Sequence, residues 1–262
     1  MSAKIKVMSF NLRVVSESDG INIFYNRKGR ILEAIKTQNP DLIGFQEANN
    51  EMRDWLIQTL TPEYLVIGCG RDAKYRGEST IVAYKVSKFM MISAETFWLS
   101  ATPHVPGTRY PGDQSGCPRV CTAVCLKHND ADTLLWFYNA HTDHRGKTAR
   151  LLAAEQIMVH ISESVGNGKF VLTGDMNACP DAPEILAFTK SLSNRNVVDA
   201  TSELAGTFHA FGKYSAADAQ KIDYIFTDAE TDPNESYKID DEPVDGVYIS
   251  DHNPVCAFIK ID

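Results

Sequence analysis

The chain contains no apolar run of the 18 or so residues that a membrane-spanning helix requires, which excludes a helical membrane protein. It also lacks a charged leader followed by a short apolar stretch. Met1-Ser2-Ala3-Lys4-Ile5-Lys6 runs straight into a strand-like segment, so the expected location is cytoplasmic. Basic charge is not in excess. Lys and Arg number 26 against 34 Asp and Glu, leaving a net charge of −8. That balance argues against a broad electrostatic footprint on long nucleic acids, while still allowing a local basic pocket. The six cysteines, at 69, 117, 121, 125, 179 and 256, form no Cys-x-x-Cys pair and show no zinc-finger spacing. Cys117, Cys121 and Cys125 lie four apart, on one face of an extended chain, and read as buried free thiols. Internal repeats, low-complexity tracts and linkers are absent too, so one domain is expected over residues 1–262.

What is present is an ordinary globular composition, 44% apolar and 23% charged. Runs rich in Val, Ile, Phe and Tyr predict strands over 5–11, 41–47, 64–68, 79–85, 90–99, 120–128, 134–141, 170–175, 222–227 and 254–261. Helical periodicity covers 27–37, where Ile31, Ala34 and Ile35 share a face before Asn39-Pro40 stops the helix. It returns at 51–60 and, with a broad apolar stripe, at 147–164. About ten strands and four helices do not make one simple parallel sheet; two packed sheets flanked by helices bury such a set better.

Polar residues gather at the strand ends. Asn11 ends the first strand, Gln46-Glu47 the second, Asn139-Ala140-His141 a middle one and Gly174-Asp175-Met176-Asn177 the next. Asp223 lies within Lys221-Ile222-Asp223-Tyr224-Ile225-Phe226, and Asp251-His252 of Ser250-Asp251-His252-Asn253-Pro254 precede the last strand. Asp, Asn, Gly and Pro are also turn residues, so one such motif alone reads as a turn. Together they suit phosphate-ester chemistry: a carboxylate handles a proton, an imidazolium holds phosphate oxygen, and an amide orients both without adding charge.

With these six motifs in this order between residues 9 and 254, starting from Ser9-Phe10-Asn11-Leu12-Arg13, the chain resembles the endonuclease/exonuclease/phosphatase superfamily. The resemblance implies an α/β fold, a four-layered α/β sandwich of two mainly antiparallel sheets flanked by helices, with the active site at one edge. It implies hydrolysis of phosphate esters with a divalent metal, Mg²⁺ or Mn²⁺. Carried over position by position, Glu47 would hold the metal with Asn11 and Asp251 beside it, and Asp175 would be the proton-handling carboxylate. Asp223 would orient His252. Arg119, His141, Asn177 and His252 would contact the phosphate. Asp143, His144, Arg145 and Arg150 are weaker candidates, Arg150 reading as a salt-bridge anchor. Gly70-Arg71-Asp72, Gly77-Glu78, Phe97-Trp98-Leu99-Ser100-Ala101-Thr102-Pro103, Pro118-Arg119-Val120 and His141-Thr142-Asp143-His144 are similar to bacterial members related to the deadenylase and nocturnin-like branch.

The expected substrate is a small phosphorylated compound or a short single-stranded nucleic acid, hydrolysed by in-line attack of an activated water. Neither a membrane partner nor extensive duplex DNA is expected. A DNA-repair endonuclease of the abasic-site type is the alternative, and a catalytically silent binding module is a second. The silent module should have lost Glu47, Asp175 or His252, and all three remain. Phe208 could stack on a base or sugar, or pack in the core. Residues 228–245 carry Asp228, Glu230, Asp232, Glu235, Asp240, Asp241, Glu242 and Asp245 against only Lys238; the segment reads first as a solvated connection between two motifs, with a partial acidic rim of the pocket, repelling long polyanions, as the alternative.

Overall fold

Every one of the ten expected strand regions is extended in the computed structural model, which describes residues 2–190, 195–240 and 242–262. The elements run β1 (Ala3–Asn11), α1 (Phe24–Gln38), β2 (Leu42–Ala48), α2 (Asn50–Leu60), β3 (Tyr64–Ile67) and β4 (Ser79–Lys85). Then come β5 (Phe89–Trp98), β6 (Val120–His128), β7 (Leu134–His141), α3 (Lys147–Ser164), β8 (Lys169–Asp175) and α4 (Pro183–Thr189). The short β9 (Val198–Asp199), β10 (Asp223–Thr227), β11 (Glu230–Thr231), β12 (Tyr237–Lys238) and β13 (Val255–Ile261) complete the order. One sheet is ordered β11-β13-β1-β2-β4-β3, with β12 also on β13; the other is β5-β6-β7-β8-β10-β9. Only β1–β2 and β7–β8 are parallel, so both sheets are mainly antiparallel as expected.

Local signals explain the helix ends. Asn39 adopts a left-handed backbone (φ 48°), donates its N–H to the Ile35 carbonyl at 2.8 Å, and is followed by a proline that cannot continue the helix. At α2 the Asn49 side chain accepts the Met52 N–H at 3.0 Å, a polar N-cap. Helices α1 and α2 bury Ile31, Ile35, Met52 and Leu56 against Met8, Phe10 and Phe45 on the outer face of the first sheet. Helices α3 and α4 bury Ile157, Ile161, Ile185 and Phe188 on the outer face of the second.

Between the sheets lies an apolar layer that includes Ile5, Val7, Leu42, Leu135, Phe137, Val171 and Ile225. Because strand side chains alternate with period two, each inward row can be read onward along its strand. Ile5 and Val7 continue to Ser9 and Asn11, Leu135 and Phe137 to Asn139 and His141, Val171 to Thr173 and Asp175, and Ile225 back to Asp223. The same inward rows that build the core therefore turn polar at one end of the sandwich.

A polar bridge joins the sheets just below that end. Gln46 Nε2 donates to Asn139 Oδ1 at 2.7 Å, and Asn139 Nδ2 donates to the carbonyls of Phe45 (2.8 Å) and Ile81 (2.9 Å). Thr173 Oγ1 donates to Asn139 Oδ1 at 3.1 Å. Gly44 leaves room for it: a Cβ there would lie 2.0 Å from Thr173 Oγ1.

Candidate active site

Strand register sets the site. In the second sheet His141 pairs with Asp175, and Asp175 with Asp223, so three polar side chains form one row across β7, β8 and β10. In the first sheet Asn11 pairs with Gln46, and the register shifts between Phe45 and Ala48. Glu47 sits in that irregularity with φ 62°, a conformation that costs about 1–3 kcal/mol for a non-glycine residue. Its carboxylate is held there: Oε2 accepts the Val14 N–H at 2.9 Å and Oε1 accepts Asn11 Nδ2 at 3.1 Å. The Asn11 amide also donates to Asp175 Oδ2 at 2.9 Å, tying the two sheets together at the centre of the site.

The two histidines around Asp175 are electrostatically unlike. His252 Nδ1 lies 2.8 Å from Asp223 Oδ2, which also accepts Thr207 Oγ1 at 2.6 Å. Burial opposes a charged imidazole, but the charge and hydrogen bond of Asp223, aided by Asp175 and Asp251, outweigh it and raise His252 to about 10. His252 is thus an imidazolium, with Nε2 3.8 Å from Asp175 Oδ2. His141 goes the other way. Burial, then Arg119, Arg71 and His252, push it well below the ordinary histidine range. Asn177 Nδ2 donates both to the Thr142 carbonyl (3.2 Å) and to His141 Nε2 (3.0 Å), so the Nε2 of this neutral ring carries the lone pair. Asp175 lies 3.6 Å from that nitrogen, and its Oδ1 accepts the Asn177 N–H at 3.0 Å. Burial pushes the Asp175 carboxyl up to about 7, against the pull of the His252 charge.

The cleft above these groups has a volume of about 440 Å³ and is walled by three arginines, Arg13, Arg71 and Arg119, besides the acidic groups. Arg119 is 4% exposed. Its Nη2 lies 2.9 Å from His144 Nδ1 and its Nε 3.6 Å from Asp143 Oδ2, while Nε and Nη1 are buried with no hydrogen-bond partner among the described residues. A buried cation with two unused donors is costly until an anion fills the gap.

A divalent cation also fits the residues present. Glu47, His141 and Asp175 each offer one ligand atom within 4.8 Å of the others; Asp175, Asp223 and His252 meet the same distance, but the protonated His252 ring has no lone pair for a cation. Glu47 raises the pKa of Glu78, Asp175 and Asp251 by charge repulsion, each adding to a larger effect of burial. A cation among these crowded carboxylates relieves the repulsion, and the oxygens of Glu47 and Asp175 are hard donors of the kind Mg²⁺ prefers. Asp251 joins neither set; it lies 3.8 Å from Arg13 Nε and 4.0 Å from His252 Nε2.

A model of the endonuclease/exonuclease/phosphatase family matches residues 8–252. The chain belongs to that family. Its members are hydrolases acting on phosphate esters, generally with a divalent metal. A solved family structure from Bacteroides vulgatus is 30% identical, with 99% of this chain and 100% of that one covered and a TM-score of 0.87. A mannosyl-6-phosphatase of Bacteroides thetaiotaomicron VPI-5482 is 28% identical, over 98% and 100%, with a TM-score of 0.81. The human nocturnin catalytic domain shares the fold at 16% identity, over 98% and 94%, with a TM-score of 0.74. Among curated proteins, an uncharacterized protein of Acanthamoeba polyphaga mimivirus is 28% identical over 159 residues, 58% of each chain.

Several expectations for the family site place differently in the structure. The acidic segment does not rim the cleft: none of its described residues lines it. Asp228 instead accepts the Phe170 N–H (2.8 Å) and pairs with Arg195 (2.5 Å), Glu230 pairs with Lys260 (2.5 Å), Glu235 with Lys4 (2.7 Å) and Asp240 with Lys238 (2.7 Å). Asp241 lies outside the described residues. Arg150 is indeed an anchor, donating to Glu184 Oε1 at 2.7 Å and so joining α3 to α4. Asp143 caps a turn, with Oδ1 accepting the N–H groups of Ser115, Arg145 and Gly146. His144 lines the cleft beside Arg119, whereas Arg145 does not line it. Phe208 is half-buried in the wall, its ring centroid 4.9 Å from that of His252. Sequence reasoning assigned no role to Arg13, Arg71 or Glu78, all cleft residues, and missed Arg27 as well. Arg27 is fully buried in α1 and donates to the carbonyls of Asn22, Leu12, Ile249 and Arg13, bracing the segments that carry Arg13 and Asp251.

Proposed function

We propose that this protein is a divalent-metal-dependent phosphatase whose substrate is a small phosphomonoester. The observation that carries the reading is the pairing, in one small cleft, of the buried Asp223–His252–Asp175 relay with the unsatisfied guanidinium of Arg119. Arg119 Nε and Nη1 are the natural donors to phosphate oxygens, and the Nε2–H of cationic His252 is a third. His141 is neutral before substrate enters; a phosphate dianion beside it favours its protonation, turning Nε2 into a further donor. Until then Asn177 Nδ2 holds the neutral ring in place by donating to Nε2. Asp175, with a pKa of about 7, can accept the proton of the attacking water at neutral pH. Glu47, with Asn11 beside it, would hold the metal, with Asp175 close enough to share it and Asp251 on the cleft wall 4.0 Å from His252 Nε2. Held there, a divalent cation would supply Lewis-acid charge to the phosphoryl group. The volume of the cleft and the mannosyl-6-phosphatase relative both support a small substrate.

The test is a panel of hexose phosphates, nucleotides, oligo(A) and an abasic duplex, each incubated with Mg²⁺ and assayed for inorganic phosphate and for strand cleavage. Phosphate release from small phosphomonoesters is expected, falling by about 10²–10⁴-fold in His252→Ala. Incision of the abasic duplex without turnover of any small phosphate would replace this reading with the DNA-repair alternative.

A further inference from the structure

Phosphate hydrolysis leaves one charged feature of the cleft without a task. Arg71 and Glu78 face each other across a tight loop closed by an antiparallel bridge between Gly70 and Ser79. The Arg71 N–H donates to the Glu78 carbonyl at 3.0 Å and the Asp72 N–H to the Arg76 carbonyl at 3.0 Å. Asp72 Oδ1 accepts the N–H groups of Lys74 (2.7 Å) and Arg76 (2.8 Å), and Trp98 Nε1 donates to the Arg71 carbonyl at 2.6 Å. A Cβ at Gly70 would lie 2.2 Å from the Arg76 backbone, so the loop also depends on glycine. So many ties make a firm mount for two side chains at the edge of a reaction centre.

Those side chains form an ion pair, Arg71 Nη2 to Glu78 Oε1 at 2.6 Å, with 13% and 20% of their surfaces exposed. A narrow crevice of about 10 Å³ beside Thr80 shares Arg71, Glu78, Arg119 and His141 with the lining of the cleft. The pair is neutral as a whole, so it adds no net attraction for a second phosphate. It is strongly polar, so an apolar or flat aromatic group gains little from displacing its water. What it offers is a charged acceptor and a charged donor side by side, with Glu78 Oε2 and the remaining Arg71 N–H groups outside their mutual bond. A hydroxyl group both donates and accepts, and two hydroxyls on adjacent carbons can meet both partners at once.

We infer that Arg71 and Glu78 form a specificity subsite that grips adjacent hydroxyls on the alcohol portion of the phosphoester, selecting a polyol such as a sugar phosphate. The inference rests on the phosphatase reading above, with Arg119 shared between the two halves of the substrate. Loss of one hydroxyl from the correct substrate leaves one of the two charged groups facing an unfilled gap, which is why such a subsite discriminates strongly.

The experiment measures kcat/KM for hexose 6-phosphates, their monodeoxy analogues and phenyl phosphate, using the wild type, Glu78→Gln and Arg71→Lys. The wild type should lose about 10–100-fold on at least one monodeoxy analogue, mostly in KM. In Glu78→Gln that penalty should shrink to within about threefold, because the enzyme and substrate changes remove the same contact. A purely structural ion pair would lower all substrates alike and preserve the penalty, which overturns the inference. Equal turnover of every deoxy analogue and phenyl phosphate by the wild type overturns it without any variant and leaves the phosphatase reading standing. Failure of the wild type to hydrolyse any phosphomonoester with Mg²⁺ or Mn²⁺ overturns both.

Discussion

Asp223→Asn removes the charge that keeps His252 protonated. In the native protein Asp223 Oδ2 accepts both His252 Nδ1 (2.8 Å) and Thr207 Oγ1 (2.6 Å), while Oδ1 is buried with no partner among the described residues. An asparagine amide placed at Oδ1 would find no acceptor there. Burial is the largest single influence on His252 and acts against its charge, so without Asp223, the strongest of the groups that raise it, the imidazole pKa falls from about 10. A raised histidine pKa contributes stability that is complete below 6.5 and disappears as pH rises through about 10. Breaking the buried pair should therefore cost about 3–5 kcal/mol at pH 6, read by urea denaturation, and much less above pH 10. Turnover should change in the same sense. If cationic His252 holds the phosphate, the wild-type rate declines toward pH 10, and in Asp223→Asn that decline moves to lower pH. A variant as stable as the wild type at pH 6, or one with an unmoved alkaline limb, would refute this account of His252.

Asp175→Asn should lower kcat by about 10²–10⁴-fold in a folded protein, because an amide cannot take the proton of the attacking water; near-normal turnover would show that another group is the base. Arg119→Lys should lower kcat/KM by about 10–100-fold, since an ammonium cannot present the Nε and Nη1 pair that stands unpartnered in the cleft, and an unchanged value would remove Arg119 from phosphate binding. Gly44→Ala should destabilise the protein by about 1–3 kcal/mol in urea denaturation, because its Cβ would meet Thr173 Oγ1 at 2.0 Å and Asn139 Oδ1 at 2.7 Å; an unchanged midpoint would mean that the sheets separate freely there.

The strands and the polar strand ends were legible because both follow from local alternation. Asn11, His141 and Asp175 stand where an apolar inward row turns polar, and that change is visible along a single strand. What escaped was fixed by contacts between distant residues. Gln46 and Asn139 sit in the same motifs as Glu47 and His141, yet they are 93 positions apart and bond to each other between the sheets, below the cleft. Arg27 looked like the start of an amphipathic helix, and only the folded chain supplies the four carbonyls that it holds. The acidic run from 228 to 245 was read by its place between two motifs. Three of its carboxylates instead meet cations from elsewhere in the chain, Asp228 with Arg195, Glu230 with Lys260 and Glu235 with Lys4. Helix α4 is short, and the Pro183 at its start was its main sequence signal.

The central claim is that a divalent cation held at Glu47 is needed for phosphoester hydrolysis in this cleft. It is tested most directly by measuring phosphate release from a turned-over monoester in excess chelator and during stepwise addition of Mg²⁺ or Mn²⁺, for the wild type and Glu47→Gln. The account predicts no release in chelator, recovery on addition of metal, and a higher half-saturating metal concentration for Glu47→Gln, because a neutral amide binds a hard cation more weakly than a carboxylate. Full wild-type turnover in excess chelator would contradict it.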